Sequence, residues 1–278
     1  MPISSLPSKY GIGTLGKGAR DFIDFLEKSG QTYWQVLPIG PTGYGDSPYQ
    51  SFSSNAGNPY FIDLDDLCDE GYLEKEEYVN ENYGTDVNCV DYAQIYNTRF
   101  TVLRKAVERL SAVQTEDYLS FLRDNAYWLN DYALFMAEKD DHKGQAYTTW
   151  EEDIRKHDTK TLENERVRLQ KNVEFYLGLQ YLFFHQWKKM REYGRKHGVY
   201  LIGDVPIYVS PDSSDIWGNP ELFQLDEDMK PTGVAGCPPD AFSADGQLWG
   251  NPLYNWDKMK DDDYTWWVNR VRYQFEFV

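Results

Sequence analysis

The run Val-Tyr-Leu-Ile-Gly-Asp-Val-Pro-Ile-Tyr-Val at residues 199–209 decides how this chain is read. Residues 199–203 form a short, nearly continuous apolar stretch that directly follows a long helical pattern. Such a stretch fits a strand of a parallel sheet covered on both faces. Asp204 then stands at the strand's carboxyl end, where β/α folds present binding and catalytic side chains. The competing structural reading is an aspartate that caps nearby backbone amides.

Upstream, Ala19, Phe22, Ile23 and Leu26 mark a short amphipathic helix closed by Gly30. It runs into Tyr33-Trp34-Gln35-Val36-Leu37, a second strand-like run ended by Pro38. The loop after it, residues 38–51, reads Pro-Ile-Gly-Pro-Thr-Gly-Tyr-Gly-Asp-Ser-Pro-Tyr-Gln-Ser. Its glycines permit sharp turns, and Asp46, Ser47, Tyr49 and Gln50 offer hydrogen-bonding groups beside an aromatic face. Downstream of Asp204, a connection of about sixty residues runs to a helix over 264–277. That length exceeds an ordinary loop, and long structured loops often carry function. It contains Asp-Ile-Trp-Gly-Asn-Pro (215–220), Cys-Pro-Pro-Asp-Ala-Phe-Ser (237–243) and Gly-Gln-Leu-Trp-Gly-Asn-Pro-Leu-Tyr (246–254).

Between these flanks proline is absent from residue 60 to residue 205, so a helical segment is expected there. Tyr96, Phe100, Leu103, Val107 and Leu110 share one helical face. Tyr118, Leu122, Leu129, Tyr132 and Met136 fit a second helix. Val173, Leu177, Phe184 and Trp187 fit a third, with Asp158 or Thr159 as its cap and Gly198 past its end. These aromatic stripes, and His185 among them, are expected to be bundle core.

Composition narrows the function. The 278 residues carry 45 acidic and 28 basic side chains, a formal charge of −17, which argues against nucleic acid or an anionic membrane as partner. No apolar run reaches a membrane span and no basic-then-apolar leader is visible. Cys68, Cys89 and Cys237 are scattered, and are expected to be buried, reduced and cytosolic. Residues 199–278 hold fourteen acids against five bases and five of the nine tryptophans. Carboxylates with aromatic platforms suit glycosidic chemistry. Read on these residues alone, Asp204 pairs with Asp46 or Asp245 as nucleophile and acid. Phosphate-loop, dinucleotide, nucleophile-elbow and metal-ligand motifs are absent, so no cofactor and no metal is expected. The run Asp261-Asp262-Asp263 fits the start of the last helix, complementing its dipole.

Several segments together resemble the amylomaltase, or 4-alpha-glucanotransferase (disproportionating enzyme), family. They are Ile-Ser-Ser-Leu-Pro (3–7), Tyr-Gly-Ile-Gly (10–13), Gln-Val-Leu-Pro (35–38), Gly-Pro-Thr (40–42), Ser-Pro-Tyr-Gln-Ser-Phe-Ser (47–53) and Ala-Gly-Asn-Pro-Tyr (56–60). Asp-Val-Pro-Ile-Tyr-Val (204–209), Gly-Cys-Pro-Pro-Asp-Ala-Phe-Ser (236–243) and Gln-Leu-Trp-Gly-Asn-Pro-Leu-Tyr (247–254) complete the set. The resemblance implies an α/β fold: a (β/α)8 TIM barrel of the alpha-amylase-related clan, present only in part, with a large inserted helical subdomain. Residues 1–68 would be the first part of the barrel with its substrate loop. Residues 69–198 would be the helical insertion, and 199–278 a barrel strand, a long substrate loop and a helix.

The implied activity is transfer of α-1,4-glucan segments between maltooligosaccharides by a retaining double displacement, without metal. An α-glucan hydrolase of the same clan and a non-catalytic glucan-binding protein are the alternatives. Ser47, Tyr49, Asp204, Phe242, Gln247 and Trp249 would contact substrate, with Asp204 as a sugar ligand, not the nucleophile. The family's nucleophilic Asp, in an Arg-Ile-Asp-His type motif, and its acid/base Glu are expected beyond Val278. A Gly-Ile-Leu strand is expected before Pro2, which would make Met1 internal. About three of eight strands are thus expected here. By itself the segment is expected to be inactive and not to fold stably.

Overall fold

The computed structural model describes residues 1–43, 45–86 and 88–277. Tyr44 of the glycine-rich loop and Val278 lie outside the described residues. In chain order the elements are α1 (Lys17–Lys28), β1 (Tyr33–Gln35), α2 (Leu64–Asp69), α3 (Tyr92–Val113), α4 (Glu116–Asp124), α5 (Ala126–Asp141), α6 (Glu152–Arg155), α7 (Thr159–Arg168), α8 (Gln170–Lys196), β2 (Tyr200–Ile202), α9 (Ser214–Gly218), β3 (Val234–Cys237), β4 (Gln247–Pro252), α10 (Trp256–Asp261) and α11 (Thr265–Phe277).

The two apolar runs pair in parallel, with Tyr33 opposite Tyr200 and Gln35 opposite Ile202. Each strand is fed by a helix that ends in the same turn. After α1, Gly30 takes a φ of 69°, its N–H bonds the Glu27 carbonyl, and Gln31 N–H bonds Leu26. After α8, Gly198 takes a φ of 69°, bonding Arg195, while Val199 N–H bonds Gly194. These are paired Schellman closures, and glycine is the residue that enters the left-handed region without strain.

The strands are shorter than the apolar runs that flag them, and the sheet is not covered on both faces. Trp34 is buried, whereas Tyr33, Tyr200 and Ile202 are exposed. Among the described residues the ladder is two strands wide.

One core joins the flank to the bundle. Ile3, Leu15, Ile23 and Trp34 pack with Leu103 and Leu110 of α3 and with Leu182 and Trp187 of α8. Two buried glutamines of α8 tie it to the loop after β1. Gln180 accepts from Gly57 N–H (2.8 Å) and donates to its carbonyl (3.0 Å). Gln186 does the same to Asp63, at 2.7 and 3.0 Å. A side-chain amide thus satisfies both backbone groups of a buried residue, as a strand neighbour would. Gly57 has no room for more: an added Cβ would lie 2.0 Å from the Phe183 ring.

Several details depart from the periodicity. The second expected helix is two, α4 and α5, broken at Asn125 (φ −104°, ψ 5°). Asp158 caps α7, accepting from Thr161 N–H, and the long helix α8 begins only after a break at Leu169. Apolar spacing alone does not register a single non-helical residue. Tyr96, expected in the core, is 52% exposed. His185 is half-buried and stacks on Tyr181, 3.5 Å from Glu70. None of the three cysteines is buried: Cys89 is exposed, Cys68 and Cys237 are half-buried, and all are free. The acidic run closes α10, with Asp262 as its C-cap, and lies just before α11, where Asp262 accepts from Thr265 N–H at 3.3 Å. Among the described residues no helix is long and apolar enough to cross a membrane.

Candidate functional site

The two loops that leave the parallel strands meet. Tyr49 Oη donates to Asp204 Oδ2 at 2.7 Å, which holds the phenol pKa above its ordinary value. Gln50 Nε2 donates to Asn251 Oδ1 at 3.3 Å, and Asn251 Nδ2 donates to the Val209 carbonyl at 2.7 Å. Loop 38–51, the stretch after β2 and strand β4 are therefore one assembly at the carboxyl ends of β1 and β2. Ser47 is turned to local work, its Oγ accepting from Tyr49 N–H at 3.4 Å.

Antiparallel β3 and β4 form the outer wall. Gly236 faces Leu248, and a Cβ there would sit 2.3 Å from the Gln247 carbonyl. Asp240 braces the tip by accepting from Phe242 and Ser243 N–H, both at 2.8 Å. Phe242 is thereby held 98% exposed. Trp249 donates to Gln247 Oε1 at 3.0 Å and its ring lies 6.3 Å from that of Tyr208. Large exposed rings on a braced hairpin are unusual unless something covers them. Trp249→Ala tests whether this ring is surface or core. Melting should barely change, since the ring is 41% exposed. A stability loss of about 3–5 kcal/mol would instead mark it as core.

The structure brings Tyr49 together with Asp204, and Gln247 with Trp249. It does not pair Asp204 with another carboxylate: Asp245 is exposed, and Asp46 faces elsewhere. Asp46 lines a cavity of about 710 Å³ between loop 41–52 and the bundle, with Tyr60, Tyr92, Tyr96, Phe100 and Lys139. Burial raises its pKa.

Sequence reasoning missed the supports. Asp215, 8% exposed, accepts from Ser54 N–H (2.7 Å) and Oγ (2.6 Å), fixing the segment after loop 38–51 to α9. Arg270 reaches the Pro206 carbonyl at 2.5 Å and Tyr254 Oη at 3.0 Å. The available signal was its spacing three and four residues after Trp267 and Trp266, which places all three on one helical face.

Glu138, Asp141 and His142 each bring a donor atom within 4.8 Å of the others. Their charges already have partners. Arg168 lies 2.9 Å from Asp141 and 3.6 Å from Glu138, and His142 sits 2.8 Å from Glu151. The group is an ion network with one poorly solvated member. Glu138 is fully buried, and burial, then neighbouring Glu165, pushes its pKa to about 7 from 4.5. A raised folded pKa gives stability that is complete below about pH 4.5 and lost as pH climbs through about 7. Glu138→Gln should therefore melt above the parent at pH 8, by up to about 3 kcal/mol, and lose that advantage near pH 4.5. A lower melt for the variant at pH 8 would show that the ionised carboxylate is stabilising.

A family model described as 4-alpha-glucanotransferase matches residues 1–278. The chain belongs to the 4-alpha-glucanotransferase family. It is 48% identical to the 4-alpha-glucanotransferase of Streptococcus pneumoniae over 278 residues, covering 99% of this chain and 55% of that protein. To that of Thermus thermophilus it is 45% identical over 277 residues, covering 98% and 54%. The chain spans about half the length of the curated relatives it matches. Among solved structures it is similar to the amylomaltase of Streptococcus agalactiae in complex with acarbose. The TM-score is 0.93 and the identity 43%, covering 98% of this chain and 55% of that one. The Corynebacterium glutamicum amylomaltase, at 19% identity and a TM-score of 0.74, shares the fold.

Proposed function

We propose that this chain supplies the sugar-binding half of a 4-alpha-glucanotransferase acting on maltooligosaccharides and related α-1,4-glucans. The observation that carries this is the Tyr49–Asp204 hydrogen bond just past the ends of two parallel strands, in a loop that Gln50 ties to Asn251 of the hairpin bearing the exposed rings. A carboxylate paired with a phenol binds hydroxyls, and flat rings take the apolar faces of glucose. The acarbose-bound S. agalactiae relative supports an oligosaccharide as ligand. Ser47, Phe242, Gln247 and Trp249 complete the proposed contact set.

On this reading β1 and β2 are neighbouring strands of a (β/α)8 barrel of the alpha-amylase-related clan. Residues 1–68 and 199–278 are its barrel portions, and 69–198 are a helical insertion. The reaction is a retaining double displacement. A carboxylate takes the donor glucan as a glycosyl ester while the glycosidic C–O bond breaks and a second, protonated carboxyl gives its proton to the departing sugar oxygen. In the second step that same group takes the proton of an acceptor 4-hydroxyl, which displaces the first carboxylate in place of water. Those reacting carboxylates belong to the part of the relatives' length that this chain does not span. The acidic surface fits a cytoplasmic enzyme whose partner is an uncharged glucan.

Given maltotriose, with no metal or nucleotide added, the full-length enzyme should release glucose and build a ladder of longer oligomers. The 278-residue chain alone should give no turnover. Products that only shorten would identify a hydrolase, and binding without turnover in the full-length protein would identify a glucan-binding module.

A further inference from the structure

We propose that Arg270 is a positioning residue for Asp204: it holds the backbone that aims the carboxylate and does not touch substrate. The proposal rests on the reading of Asp204 as a sugar ligand. The parallel ladder ends when Val36 N–H bonds the Ile202 carbonyl at 3.0 Å. Beyond it, among the described residues, no backbone–backbone hydrogen bond holds residues 203–208. Packing restrains its first part little, since Val205 and Ile207 are 42% and 64% exposed, while Tyr208 at its end stacks on Tyr254 with centroids 5.6 Å apart. A loop in that condition samples many conformations unless side chains fix it.

Side chains do fix it. Arg270 Nη2 donates to the Pro206 carbonyl at 2.5 Å, and Tyr254 Oη donates to the Ile207 carbonyl at 2.9 Å. Arg270 Nη1 donates in turn to Tyr254 Oη at 3.0 Å. One guanidinium therefore governs two successive carbonyls, the first of them two residues after Asp204. Its own position is set from both sides, because its Cζ lies 5.2 and 5.0 Å from the ring centroids of Trp266 and Trp267. It is 4% exposed, so water does not compete for the fork. Lysine cannot reproduce this arrangement, because an ammonium on a flexible stem lacks the planar two-pronged geometry.

The test is a double-mutant cycle in the full-length enzyme, reading kcat and KM on maltotriose for Arg270→Lys, Asp204→Asn and the pair. Arg270→Lys should lower kcat/KM about tenfold in the parent and less than twofold when Asp204 is already Asn. Additive losses would overturn the proposal while leaving Asp204 a sugar ligand. A lower melting temperature with parental kinetics would also overturn it, since a merely structural arginine behaves that way. If Asp204→Asn alone is kinetically silent, the sugar-ligand reading falls and the proposal falls with it. Should Arg270→Lys fail to fold, Tyr254→Phe takes its place in the cycle. It removes the donor to Ile207, and the same non-additivity is expected.

Discussion

Asp204→Asn in the full-length enzyme should lower kcat/KM by about 10- to 200-fold and leave the melting temperature nearly unchanged. The range follows from a charge-assisted hydrogen bond to a sugar hydroxyl, worth about 1.5–3 kcal/mol, at 1.36 kcal/mol per decade of rate. The substitution keeps the shape and an oxygen that accepts from Tyr49, so only the charge is removed. A nucleophile behaves otherwise, its loss leaving rates down by about a millionfold. An aspartate that caps backbone amides would cost about 1 kcal/mol of stability with little kinetic change. The hydrogen bond to Tyr49 and the half-exposed setting of Asp204 favour the binding role. Residual activity in the per-cent range with a parental melt is the expected outcome. Complete inactivity in a folded variant would place Asp204 among the reacting carboxylates.

Trp217→Ala should have the opposite signature, costing about 3–5 kcal/mol of stability. Its ring is fully buried against Phe135, Trp150 and His157, with centroids 5.7, 6.1 and 4.5 Å away. Its Nε1 donates to the Ile154 carbonyl at 2.8 Å. Alanine leaves a cavity and takes one of two donors from the Ile154 carbonyl, which His157 N–H still reaches at 3.1 Å. Chemical denaturation reads the loss directly. A change below about 1 kcal/mol would mean that the site collapses around the missing ring.

Trp217 and Trp249 lie in the same long connection, and composition does not separate them. What distinguishes them is which tryptophan is roofed by α5 and α6 and which rides on a hairpin, and that is tertiary information. The parallel pairing of β1 with β2 was legible because each apolar run follows a helix and a glycine stop. The convergence of loop 38–51 with Asp204 was legible only through family resemblance, since residues 155 positions apart in sequence share no local pattern. Arg270, Asp215 and Asn251 were not legible as supports. Their task is to satisfy carbonyls and amides whose positions exist only after folding. The exposed second face of the sheet was likewise hidden, because an apolar run reads the same whether or not anything lies against it.

The adjacency of β1 and β2 bears on how this protein forms and varies. The contact between Tyr33 and Tyr200 closes a loop of residues 34–199, whereas the helices within that loop form from near neighbours. Loop-closure entropy must be met before such a contact repays it, so the parallel register belongs to the late, slow part of folding. That entropy grows only logarithmically, and doubling a connection costs about 0.6 kcal/mol. The bundle between the strands can therefore gain or lose whole helices at small thermodynamic cost, provided that its first and last segments still deliver the chain to the same two glycine turns.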